Sequence, residues 1–129
     1  RVAIAQVLAL HPKVILMDEP FASLDAIVRT RITQELIEWV EQEQITVLLI
    51  THDLEEAISL SDAVHVLSPG PKAYIKASHQ VNIPRPRDIL DTSNSSNFAP
   101  LLKTLWNELV GERKKENIIK FGNEKKIKA

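Results

Sequence analysis

Cysteine is missing from these 129 residues and glycine nearly so: Gly70, Gly111 and Gly122 are the three, and none lies in the first half of the chain. The first absence excludes disulfide staples and thiol-based metal or redox sites, and it fits a reducing compartment. The second excludes, in that half, a glycine-rich loop whose backbone N–H groups wrap a phosphate, whether of the G-x-G-x-x-G or the G-x-x-x-x-G-K-[ST] type. Any nucleotide chemistry would then be shared with residues from elsewhere. Long apolar runs are missing too. Val14 to Met17 and Val47 to Ile50 fall far short of the roughly 20 residues that cross a bilayer. A chain that opens on Arg1 without the charged and apolar regions of a signal peptide is expected to continue a longer one.

What is present describes a globular domain: 44% of residues are apolar and 26% charged, enough to build a core of ordinary composition. Charge is unevenly placed. Residues 112–129 hold seven of the sixteen Lys and Arg but only three of the seventeen acidic residues, so the body is acidic and the tail basic. Such a tail reads as a solvated helix or frayed end, with contact to anionic lipid or nucleic acid as the other reading.

Strand and helix signals alternate along the body. The Ala- and Val-rich stretch Arg1 to Leu10 reads as a helix ended by His11-Pro12, because the residue before proline is pushed out of the α region. Val14 to Met17 is a continuous apolar run, expected as a strand covered on both faces in a parallel sheet. Between Ala26 and Glu43, Val28, Ile32, Leu36 and Val40 mark one face of an amphipathic helix. Thr46 to Thr51 repeats the buried-strand pattern, Asp53 to Leu60 gives a helix, and Ala63 to Leu67 a third strand. This alternation predicts an α/β fold with βαβ crossovers and parallel strands flanked by helices. Beyond the Ser68-Pro69-Gly70-Pro71 turn, Tyr74 to Ile83 is expected to supply two short strands. The stretch Pro84-Arg85-Pro86-Arg87 reads as a rigid polyproline-type linker without contacts of its own. A last helix is capped by Ser95 or Ser96 and carries Phe98, Leu101, Leu102, Leu105, Trp106, Leu109 and Val110 at helical spacing.

Two places could carry chemistry. Asp18-Glu19-Pro20 stands at the end of the first strand, and the carboxyl ends of parallel strands open onto the crevice where α/β sheets bind ligands. Adjacent residues of an extended chain point to opposite sides, so the carboxylates would act separately: Asp18 on metal-bound water, Glu19 on an attacking water. A bare acidic pair also serves to cap the next turn. Thr51-His52-Asp53 ends the second strand on the same sheet edge, which places His52 toward the same ligand. His11, His65 and His79 have no such setting.

The runs VILMDEPFASLD (Val14 to Asp25) and VLLITHDLEEAISLSDAVHVLSPG (Val47 to Gly70) resemble the C-terminal half of an ABC-transporter ATP-binding subunit, over roughly Arg1 to Pro86. The opening RVAIA helix, a Walker B strand, the D-loop Ser23-Leu24-Asp25 and the switch histidine His52 follow in the family's order and spacing. The resemblance implies the C-terminal, incomplete part of a P-loop NTPase domain over 1–87; beyond it the helical pattern reads as an extension over 88–111 and the charge as a basic, flexible tail over 112–129. It implies ATP and Mg²⁺ as cofactors. It further implies that Asp18 holds Mg²⁺ largely through water, that Glu19 is the catalytic carboxylate and that His52 contacts the γ-phosphate. Ser23 and Asp25 would then lie in a loop crossing between two ATP-binding subunits in a head-to-tail dimer.

The LSPGP (Leu67 to Pro71) and NIPRPRD (Asn82 to Asp88) segments are similar to ATPases of nitrate, sulfonate and taurine importers, which implies membrane permease partners and a peripheral place on the cytoplasmic side of the membrane. Gln6 and Ser23 are small departures from the family's pattern. The large one is the lack of a Walker A lobe and a signature motif, so this chain alone is expected to be inactive. A non-catalytic remnant or split lobe is the second reading. The C-terminal lobe of a DNA-repair or chromosome ATPase is the third, opposed by the THD-x-x-EA segment and by an acidic body that carries no nucleic-acid footprint.

Overall fold

A computed structural model describes residues 2–111, and the basic tail expected over 112–129 lies outside the described residues. In chain order these form α1 (Val2–Ala9), β1 (Val14–Asp18), α2 (Ala26–Glu43), β2 (Thr46–Ile50), α3 (Leu54–Leu60), β3 (Ala63–Leu67), β4 (Ile75–Gln80), α4 (Ile89–Thr92) and a helix α5 over 98–111. None of the described helices is long and apolar enough to cross a membrane.

Local chemistry sets the boundaries. His11, held at φ 47° before Pro12, follows the end of α1 and turns the chain into β1. Asp25 begins α2 by accepting the Val28 N–H, and Gln44 ends it in the left-handed region with its N–H on the Val40 carbonyl. Asp53 caps α3 by accepting from the N–H groups of Glu55 and Glu56.

β1 and β2 pair in parallel, with Val14 opposite Thr46, Leu16 opposite Leu48 and Asp18 opposite Ile50. The α2 crossover packs on one face of this pair, where Ile15 is buried and Met17 lies against the cluster of Phe21, Ile32 and Leu36. The other face is open. Val14, Leu16, Leu48 and Ile50 are 58%, 75%, 56% and 53% exposed, so the expectation of strands covered on both faces is not met. A continuous apolar run does not say which of its alternating sides finds a cover. Four aliphatic side chains on one exposed face favour association. Replacing the cross-strand neighbours Leu16 and Leu48 with Lys and Glu is expected to lower the sedimentation-average mass of the chain. A wild-type chain that is already a monodisperse monomer with cooperative unfolding would contradict this.

β3 does not join the parallel pair. It pairs antiparallel with β4, Val64 opposite His79 and Val66 opposite Ala77. The turn closes locally, since the Ser68 N–H donates to the Tyr74 carbonyl at 2.9 Å and the Tyr74 N–H to the Ser68 hydroxyl at 3.1 Å. A strand partner a few residues away costs less chain entropy than one across a crossover. The region expected to hold two strands therefore holds one, β4, and Val81 and Ile83 beyond it turn inward. With Ile58, Val66, Phe98 and Leu105 they form the second core cluster. On α5 the expected stripe divides: Phe98 and Leu105 are buried, while Trp106 is 60% exposed.

The Pro-Arg-Pro-Arg stretch is the clearest correction. Far from lacking contacts, Arg85 donates to Asp62 at 2.8 Å, to Glu41 at 2.7 Å and to the Leu60 carbonyl at 2.9 Å. Arg87 is 4% exposed, and its guanidinium donates to the Ile83 carbonyl at 2.8 and 3.1 Å and to the Ser61 carbonyl at 2.7 Å, with the Ser59 carbonyl at 3.4 Å. Positive charge at the C-terminal end of α3 matches the carbonyls left over there. Burial, then the neighbouring Arg85 charge, lowers the Arg87 pKa, but a guanidinium remains charged. Together the two arginines fasten the C-terminal ends of α2 and α3 to the segment leading into α4.

Candidate active site

The parallel register brings the two carboxyl strand ends side by side. Asp18 closes β1 opposite Ile50, and the Glu19 N–H donates to the Ile50 carbonyl at 2.8 Å, continuing the ladder by one bond. Glu19 then takes a left-handed conformation with φ 46°, which swings the chain into the turn through Phe21. A non-glycine residue in this region carries strain that its surroundings must outweigh. Phe21, 1% exposed, anchors the turn against Ile32 and Leu36.

Across the gap, Nδ1 of His52 lies 2.7 Å from Oε1 of Glu19. An ionised carboxylate only accepts, so the proton sits on Nδ1 and the imidazole Nε2 is left for another partner. The histidine side chain is 83% exposed and the glutamate 35%, so the pair stands at the solvent edge of the strands. The hydrogen bond from His52 and the charge of Glu19 hold the histidine pKa above its ordinary value, with the charges of Asp53 and Glu56 adding to the same direction. A raised histidine pKa means that the stabilisation from this pairing is fully present below about pH 6.5 and fades as the pH rises through the folded value. Glu19→Gln is therefore expected to lower the His52 midpoint in an NMR titration of the ring. An unchanged midpoint would show that the pair does not persist in solution.

The remaining sequence-predicted residues are near in sequence but do not join the pair. Asp18 is exposed at the strand end; Ser23 is exposed in the turn; Asp25 is exposed and its Oδ1 accepts from Val28 N–H at 3.1 Å. Among the described residues no group of three or more His, Cys, Asp or Glu converges as a metal cage. Mg²⁺ is ordinarily held by one or two carboxylates, several waters and substrate phosphates, so Asp18 and Glu19 supply donors of a fitting kind.

Two residues escape the sequence reading. Glu56, in the first turn of α3, has its pKa raised by burial first, with a hydrogen bond from Thr51 opposing and the Asp53 charge adding. Arg29, on α2, reaches the Leu24 carbonyl at 3.2 Å and the Asp53 carboxylate at 3.7 Å. Its one signal in the sequence is a cation directly beside Val28, on the edge of the apolar stripe.

No protein-family model matches the chain. Among curated proteins it is 45% identical over 101 residues to the nitrate import ATP-binding protein NrtC of Synechocystis sp. (strain ATCC 27184 / PCC 6803 / Kazusa), covering 78% of this chain and 15% of that one. It is 42% identical over 101 residues to the bicarbonate transport ATP-binding protein CmpC of the same organism, again 78% and 15%. It is 36% identical over 115 residues to the nitrate transport protein NasD of Klebsiella oxytoca, covering 89% of this chain and 44% of that one. The chain thus spans less than half the length of these relatives. With 36–45% identity over most of its residues, this chain belongs to the ATP-binding subunits of ABC transporters.

Proposed function

We propose that this chain supplies the water- and metal-handling part of an ATP-hydrolysing site in an importer of a small oxyanion, nitrate or bicarbonate being the class its relatives are named for. The observation that carries the reading is the Glu19–His52 pair, closed at 2.7 Å where two parallel strands end. Bound ATP and Mg²⁺ would supply the transferable phosphoryl group and neutralise its charge. The chain's own residues do the rest. Glu19 gives Oε1 to His52 and keeps Oε2 to accept from, and so orient, an attacking water. His52 turns Nε2 outward, and its raised pKa increases the fraction able to donate there to a phosphate oxygen. Asp18, exposed at the end of β1, would hold Mg²⁺ through water. Ser23 and Asp25 lie on an exposed turn suited to face a second ATP-binding subunit.

The partners on this reading are that second subunit, in a head-to-tail dimer, and the membrane permease subunits, with the chain on the cytoplasmic side. The grip on the phosphates comes from a Walker A lobe outside these residues, so the 129-residue chain alone is inactive. The test is exchange: this chain replaces the matching segment of Synechocystis NrtC, and ATP turnover and nitrate uptake are measured. Both are expected to survive. Turnover without uptake would reject the anion-importer reading, and loss of both in a folded chimera would reject the ATPase reading.

A further inference from the structure

Arg29 lies on α2 one turn after its Asp25 cap, and its guanidinium reaches out of that helix in two directions. Nη2 donates to the Leu24 carbonyl at 3.2 Å, in the turn that leads away from Glu19. Nη1 lies 3.7 Å from Oδ2 of Asp53, the residue after His52. Asp53 spends its other oxygen, Oδ1, on the Glu55 and Glu56 N–H groups at the start of α3, so the oxygen toward Arg29 is the one not used in capping. A single side chain from a third element thus touches both segments that carry the Glu19–His52 pair.

That pair needs outside support. The His52 ring is 83% exposed and makes one hydrogen bond, and Glu19 sits on a left-handed backbone. On the strand side the two segments are joined by the Glu19 N–H to Ile50 carbonyl bond. On the helix side the join is Arg29. Packing alone does not account for arginine at this position, because its Nε is buried with no acceptor, a desolvation cost that an aliphatic residue would avoid.

We propose that Arg29 is a positioning residue which locks the turn after Glu19 to the segment after His52 and so holds the two side chains within hydrogen-bond reach. The proposal rests on the reading of Glu19 and His52 as the hydrolytic pair. Two different nitrogens make the two contacts, so a lysine, with one, is a poor substitute at a forked site.

The experiment reads the tautomer of His52 in the ¹⁵N-labelled full chain, from long-range ring spectra above the titration midpoint, with His52→Gln to assign the signal among the four histidines. In the wild type the Nδ1-protonated form is expected to dominate, as the bond to Glu19 requires. In Arg29→Gln the signal is expected to shift to the Nε2-protonated form, while the amide spectrum of β3, β4 and α5 stays unchanged. Arg29→Lys keeps the charge and the aliphatic stem, so it preserves the fold should the glutamine variant lose it, and the same shift is expected. A shift in glutamine but not in lysine would assign the positioning to the Asp53 arm alone. Retention of the Nδ1-protonated form in both folded variants would overturn the proposal. Glu19→Ala, which leaves no acceptor for Nδ1, separates the two readings: if it leaves the His52 tautomer unchanged, the pair itself is absent and the fault lies with the hydrolytic reading.

Discussion

Glu19→Gln, introduced into the NrtC chimera, is expected to lower kcat for ATP hydrolysis by about 10²–10⁴-fold, the usual contribution of a positioned general base. The KM for ATP should change far less, because the amide keeps the shape of the carboxylate and, on the proposed function, the phosphate grip belongs to another lobe. The physical cause is specific to the geometry. The substituted side chain can still meet His52 through its amide oxygen, but it cannot polarise a water with a negative charge. A variant that lost ATP binding and turnover together would instead place Glu19 in the grip. One that kept full turnover would remove it from the chemistry.

The second large effect is on stability. Arg87→Ala removes a buried guanidinium from the carbonyls of Ile83 and Ser61 and from the longer contact to Ser59. Hydrogen bonds from a charged donor are each worth about 1.5–3 kcal/mol, and acceptors left dry cost more than acceptors never paired. The loss is expected to total roughly 3 kcal/mol, read as a lower denaturant midpoint at unchanged slope. Arg87→Lys should recover only part of this, because an ammonium lacks the planar fork. Arg85→Ala is expected to cost less, since the Arg85 side chain is itself 29% exposed and one of its two acid partners, Asp62, is 78% exposed. A change below about 0.5 kcal/mol for Arg87→Ala, the range of an ordinary surface substitution, would contradict the buried clamp.

The parts of this molecule legible in its sequence are those fixed by short-range rules. The Val28 to Val40 stripe and the stop before Pro12 each follow from a few neighbouring residues, and the structure has them in place. Parallel pairing of the first two strands also follows, and with it the meeting of Glu19 and His52, because their strand ends come out level once the register is set. The features that escape a sequence reading depend on distant partners. Nothing about Leu16 says that its side of β1 faces solvent while Ile15 is covered. The pattern of β3 suits an extension of the parallel sheet, yet its neighbour is the strand that a tight turn returns to it. The arginines at 85 and 87 sit beside prolines that suggest a bare linker, but apart from the Ile83 carbonyl their acceptors are helix-end carbonyls and carboxylates more than twenty residues away. Glu19 shows the same limit in the backbone, since a glutamate gives no sign that it will adopt positive φ.

Asp18, Glu19 and His52 are proposed as one part of an ATPase site and not a whole one. The most direct test is a titration of the 129-residue chain with Mg-ATP, alone and as part of the NrtC chimera. The expected result is no saturable binding near micromolar for the chain alone, with binding and turnover restored in the chimera. Saturable micromolar binding by the isolated chain, with turnover that Glu19→Gln abolishes, would contradict it.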